Sequence, residues 1–223
     1  MTIEKRAKEK ERPAPTPQSR TKPAEVRLEE LMASAQNLFL AKGVQATTIS
    51  EIVEDAQVAK GTFYHYFESK NEMLAALAKR YTERFLEQLE LAVDACAPDD
   101  WTARLRVWIT ANIETYLDTY PIHDIVYTNH HHHDRGNSEK NAILTQLLTI
   151  LEGGAQAGAW PPHDLRLMAQ LIYGGIHGAT DDAIAGNAPD MPALTEAIVS
   201  ASLRMLAVSV TTAPEHDDRD AAA

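Results

Sequence analysis

The chain has 223 residues, 44% of them hydrophobic, enough for a substantial core in one large domain or two small ones. Its formal charge of -11 argues against nucleic acid until the distribution is read: residues 1–91 hold 14 basic and 14 acidic side chains, residues 92–223 hold 7 and 18. No apolar run reaches the ~18 residues of a membrane span and the charged N-terminus has no signal core, which reads as cytoplasmic, while a single cysteine, Cys96, excludes a disulfide framework and a cysteine-rich zinc module.

Residues 1–23 carry Pro13, Pro15, Pro17 and Pro23 with seven basic against three acidic residues, and read as a disordered arm, a solvated tail or alternatively a source of phosphate or minor-groove contact. A first helix is predicted over 24–42, with Leu28, Leu31, Met32, Ala35, Leu38 and Phe39 in one apolar stripe and Gly43 as its stop. Thr48 followed by Glu51 is a capping box, and Ile49, Ile52, Val53 and Ala56 follow at helical spacing. After the break at Gln57-Val58-Ala59, Lys60 to Phe67 reads as a second short helix. Phe63 and Phe67 share its inner face, and Lys60, Thr62, Tyr64 and His65 face out. Ser69 and Glu72 form a second capping box, which opens a long helix with Met73, Leu74, Leu77, Tyr81, Phe85 and Leu89 on its buried side. Two short helices joined by a tight turn, the second with an outward row of donors, make a helix-turn-helix.

The stretch Thr48, Ile52, Ala56, Val58, Lys60-Gly61-Thr62-Phe63-Tyr64, Phe67, Ser69-Lys70 and Glu72 resembles the DNA-binding motif of the tetracycline-repressor (TetR) family of transcriptional regulators. The resemblance covers residues 25–90. Gln57 stands where that family usually has Gly, Ala59 where it has Ser, and Tyr66 where it has His. The family positions imply that Thr47, Thr48, Lys60, Gly61, Thr62, Tyr64, His65, Tyr66 and Lys70 meet DNA. The residue types suit that role: Lys60, Tyr64 and Lys70 suit phosphate, Gly61 lets backbone approach, and Thr62 and His65 reach groove edges.

Beyond Pro98-Asp99-Asp100 a helix is predicted from Trp101 to Tyr120, broken by Pro121, with a short helix and a loop to follow. Further helices are predicted over 139–157, from the cap at Asp164 to 185, and over 189–210; nothing reads as a strand, and the tail 213–223 reads as disordered. The expected architecture is therefore all-α. A three-helix DNA-binding domain (24–70) is joined by a long helix to a helical effector-binding and dimerisation domain (71–212).

Trp108, Asn112, Tyr116, Tyr120, Tyr127, Met168, Tyr173 and His177 mix apolar bodies with polar handles, as a small-molecule site requires, and each alone suits the ordinary core of a helical bundle equally well. The family implies that some of them line an effector cavity. It likewise implies a homodimer through about 164–210, where Gly174, Gly175 and Gly178 permit close helix approach or, alternatively, an internal helix contact. His130-His131-His132-His133-Asp134 offers His130, His133 and Asp134 at metal-ligand spacing on a helix. A metal-responsive regulator is thus the alternative reading, although the run also suits a polar surface loop. No catalytic order of Ser, Cys, His or carboxylates stands out and no cofactor motif is present, so the chain reads as no enzyme. The functional expectation is a repressor whose operator binding is released by a small molecule.

Overall fold

The computed structural model describes residues 23–128, 138–162, 164–186 and 190–207, and within them every regular element is an α-helix. In chain order these are α1 (Ala24–Lys42), α2 (Ile49–Asp55), α3 (Lys60–Tyr66), α4 (Lys70–Asp94), α5 (Trp101–Thr128), α6 (Ser138–Gln156), α7 (Leu165–Ala185) and α8 (Met191–Ala207). The expected arm, the histidine run and the tail after 212 lie outside the described residues.

Local signals explain the boundaries of α1 to α4. Gly43 takes φ 83 and donates its N–H to Phe39 O, which ends α1 in a conformation that side-chain-bearing residues resist. Thr48 closes a full capping box with Glu51 at the start of α2. Ser69 caps α4 by accepting from Glu72 N, but the reciprocal half differs from expectation. Glu72 Oε2 accepts from Glu68 N at 2.6 Å, one residue earlier.

Two apolar clusters organise the packing. The first gathers Leu31, Ala35, Phe39, Ile52, Phe63, Phe67, Met73 and Leu77 from α1 to α4. It does not stop at residue 70: it takes in Ala78 of α4 and Val126 and Tyr127 at the far end of α5. The second gathers Phe85, Leu89, Leu105, Trp108, Ile109, Ile113, Leu147, Leu151, Ile172, Ile176 and Val199 from α4 to α8. Each fully buried Leu or Ile here contributes about 1.5–3 kcal/mol relative to exposure. Tyr81 packs against both clusters.

The predicted break at Pro121 is not observed; α5 runs through it to Thr128. Proline supplies no N–H for the carbonyl one turn earlier, so the helix loses a bond there. It continues because Ile122, Ile125, Val126 and Tyr127 beyond the proline pack on the first cluster, and their burial outweighs the lost bond. Two glycines on α6 shape another contact. A Cβ on Gly153 would lie 2.2 Å from the Trp101 indole, and one on Gly154 2.0 Å from that of Trp160. Trp160 is further held by Nε1–H donating to Leu151 O at 2.9 Å.

Candidate nucleic-acid interface and ligand cavity

The first surface is built by α2 and α3. Val58 N donates back to Val53 O and closes the turn, and Gln57 within it has φ 54, the left-handed conformation. This is the position at which the tetracycline-repressor motif usually has Gly. Phe63 and Phe67 anchor α3 in the core, so the opposite face is presented: Lys60, Gly61, Tyr64 and His65 are exposed and Thr62 is half-buried. Among the described residues, a Cβ on Gly61 would meet nothing within 4 Å, so they leave the α3 backbone open to approach. Thr48 is exposed, with its hydroxyl engaged in the capping box.

Three expected contact residues are otherwise engaged. Thr47 is buried, and its hydroxyl donates to Gly43 O at 2.8 Å; it closes the α1–α2 connection rather than facing outward. The Lys70 ammonium donates to Val44 O at 2.5 Å and Thr47 O at 2.7 Å, so it satisfies carbonyls of that same connection. The Tyr66 hydroxyl donates to Ala24 O at 2.8 Å and ties the end of α3 to the start of α1. Beside α2, an ion pair with Lys42 and hydrogen bonds from Thr48 hold the Glu51 carboxyl down at about 2.

The second feature is a cavity of about 750 Å³ between α4, α5, α6 and α7. Of the residues expected at an effector site, Tyr116, Tyr120, Tyr127, Tyr173 and His177 line it. Trp108 and Asn112 do not. Trp108 is fully buried and donates from Nε1 to Gln146 Oε1 at 2.9 Å, while Gln146 Nε2 donates to Leu86 O, so this pair bolts α4, α5 and α6 together. Asn112 is also fully buried, and neither amide atom has a hydrogen-bond partner within the described protein, which costs about 1–3 kcal/mol per group. Met168 packs on the second cluster and lies outside the lining.

Residues the sequence reading did not assign to the site also line it, among them Tyr81, Phe85, His123, Asp124, Lys140 and Asp181. His123 and Asp124 lie in the segment expected to be broken by Pro121. Once α5 is continuous, Tyr116, Tyr120, His123 and Tyr127 recur at spacings of three and four on one face. Tyr116 donates its hydroxyl to Asp181 Oδ1 at 2.6 Å, and Tyr81 shares a hydrogen bond with Thr119 at 3.0 Å. Burial pushes the phenols of Tyr81, Tyr116 and Tyr173 well above their usual range; for Tyr116 the bond to Asp181 adds to this. All three are therefore neutral donors at physiological pH. Among the described residues, no cluster of His, Cys, Asp and Glu is arranged to hold a metal ion, and no helix is long and apolar enough to cross a membrane.

Residues 31–77 match the family model described as "Bacterial regulatory proteins, tetR family". The HTH-type transcriptional regulator YvdT of Bacillus subtilis is 35% identical over 98 residues, 44% of this chain and 48% of that protein. The transposon Tn10 TetC protein of Escherichia coli is 46% identical over 52 residues, 26% of its length, so the chain spans about half or less of these relatives. The HTH-type transcriptional regulator QacR of Staphylococcus aureus matches more fully but more distantly, 21% identical over 67% of this chain and 82% of that protein. Among solved structures, a protein of unknown function from Rhodococcus sp. RHA1 superposes with TM-score 0.71 at 22% identity, over 82% of this chain and 96% of that one. A tetR-family regulatory protein from Rhodococcus RHA1 does so with TM-score 0.60 at 21% identity, over 82% and 98%. Residues 31–77, which carry α2 and α3, thus belong to the tetR family of bacterial regulatory proteins, and the helices behind them share the fold of these solved structures.

Proposed function

We propose that the protein is a homodimeric transcriptional repressor that binds a pseudo-palindromic operator through α3 and leaves it when a small molecule enters the cavity. One observation carries the reading: α5 lines the cavity with Tyr116, Tyr120 and His123, then buries Val126 and Tyr127 in the core on which α3 rests. A ligand that prefers one placement of α5 therefore biases the placement of α3. The relatives named as HTH-type repressors, such as NemR of Escherichia coli, support the sign of regulation. A structural neighbour, FadR of Bacillus subtilis, is described in complex with stearoyl-CoA, which supports a ligand-responsive helical domain.

One short recognition helix makes few base contacts, each good bidentate pair giving about 1–3 kcal/mol. A two-fold dimer doubles them, with the α3 pair spaced for successive major grooves, roughly 34–36 Å apart. The outer face of α7 suits the partner copy. Leu167 and Leu171 are nearly half exposed, and Cβ atoms on Gly174, Gly175 or Gly178 would meet nothing within 4 Å among the described residues, which favours a partner copy over an internal helix contact. Gly178→Trp is expected to leave the subunit folded, to yield monomer in sedimentation and to lose operator affinity by at least a hundredfold. A variant that remains a full-affinity dimer places the interface elsewhere.

The direct test is selection of bound fragments from genomic DNA, followed by distance measurement between spin labels at Thr62 of the two subunits. The ligand-bound and DNA-bound forms are expected to differ in that distance. An unchanged distribution despite lost DNA binding overturns the coupling through α5.

A further inference from the structure

The cavity's walls specify more than size, and the inference that follows rests on the cavity being the effector site. Its rings form an unbroken run. Tyr173 and His177 have centroids 4.5 Å apart, His177 and Tyr116 4.9 Å, Tyr116 and His123 4.8 Å, and His123 and Tyr127 4.9 Å. Aromatic faces carry negative electrostatic potential and attract cations within about 6 Å of the ring centroid. The fixed charges on the wall lean the same way: Asp124 and Asp181 against Lys140, which is the sole lysine or arginine among the described lining residues.

The protein itself illustrates the preference. The Lys140 ammonium lies 5.9 Å from the centroid of the Tyr173 ring, so one face of the run already faces a cation. Two of the phenol donors that an anion would need are already engaged. The Tyr116 hydroxyl is spent on Asp181 and the Tyr81 hydroxyl on Thr119. The surrounding half of the chain adds a long-range bias, since residues 92–223 hold 18 acidic against 7 basic side chains.

We propose that the cavity binds an organic cation carried on an aromatic body, with the positive centre among Tyr116, Tyr173 and His177 and within reach of the Asp181 carboxylate. At about 750 Å³ the cavity holds a molecule of several rings. Selectivity comes from charge as much as shape: the ring faces and the two carboxylates favour a cation and disfavour an anion of equal size.

The probes are tetraphenylphosphonium and tetraphenylborate, which share a shape and differ in sign of charge. Calorimetric titration of the full chain without DNA is expected to show one phosphonium per subunit, bound at least tenfold more tightly than the borate. Asp181→Asn keeps an acceptor for Tyr116 but removes the charge, and Tyr173→Leu removes a ring. Each should weaken phosphonium binding about tenfold, while Tyr173→Phe retains it and so controls for folding. Borate binding equal to or tighter than phosphonium binding overturns the proposal, as does phosphonium affinity indifferent to both Asp181→Asn and Tyr173→Leu. Operator release is measured separately. Phosphonium bound as described without effect on operator affinity retains the cation site and removes the effector reading. Release by an anionic compound together with no phosphonium binding does the reverse.

Discussion

Gln57 shows how a single backbone angle outlasts the residue that best suits it. At φ 54 its side chain opposes the turn that joins α2 to α3, and the left-handed region costs a residue with a Cβ about 1–2 kcal/mol. Gln57→Gly is expected to raise the stability of the folded chain by about 1 kcal/mol in urea denaturation, less the entropy that glycine adds to the unfolded state. Operator affinity should be unchanged, because Gln57 belongs to the turn and not to the exposed face of α3. Lys70 makes the opposite case. At a helix start its type suggests a phosphate contact, yet Nζ is bonded to Val44 O and Thr47 O. Lys70→Met is expected to destabilise the chain by about 1.5–3 kcal/mol, as loss of charge-assisted bonds does. The salt slope of operator binding, measured where the variant is still folded, should stay the same; a slope reduced by about one would return Lys70 to the phosphates. What separated these residues from those legible in the sequence is reach. The capping pair Thr48 and Glu51 is three residues apart and announces itself, whereas Lys70 acts on carbonyls 26 and 23 residues away.

At the scale of elements, α1 to α4 could be read closely because each begins or ends on a local device: a stop at Gly43, caps at Thr48 and Ser69, and the inward Phe63 and Phe67. α5 could not, because Pro121 carries the same local signal whether it ends a helix or sits inside one. Tertiary burial of Ile122, Ile125 and Val126 decides between them. That misreading concealed His123 and Asp124, two of the five residues that α5 contributes to the cavity wall. The glycines of α6 were equally silent, since their role depends on where two indoles come to rest in the fold. Trp160 is buried and hydrogen-bonded, and Trp101 is only half-buried at a helix start. Gly154→Ala is therefore expected to cost more than Gly153→Ala, about 3 against about 1 kcal/mol by thermal denaturation, because one ring can swing aside and the other cannot. Equal costs would show that Trp101 is as firmly held as Trp160.

For the whole molecule, the question is how an event beside α6 and α7 is felt at α3. Pro121 lies between the cavity-lining Tyr116 and the core-packed Val126, and its missing bond makes a soft joint in an otherwise continuous helix. Pro121→Ala restores the bond. It is expected to raise Tm and to reduce, about fivefold, the factor by which a bound ligand weakens operator affinity, read as the ratio of Kd with and without ligand. A Tm increase with an unreduced ratio would locate the coupling in α4 instead. The end of α3 is tied to α1 through Tyr66, and the α1–α2 connection is tied to α4 through Lys70, so the DNA-facing unit is bound to move as one piece. Its displacement then becomes a matter of arithmetic. The 25 residues of α4 span about 37 Å at 1.5 Å per residue. Swinging that rod by about 5° around its far end carries Lys70, and α3 with it, through about 3 Å. That is close to the ~3.4 Å rise of one base pair along a strand: the smallest step that would put each half of the proposed dimer out of register with its own half-site.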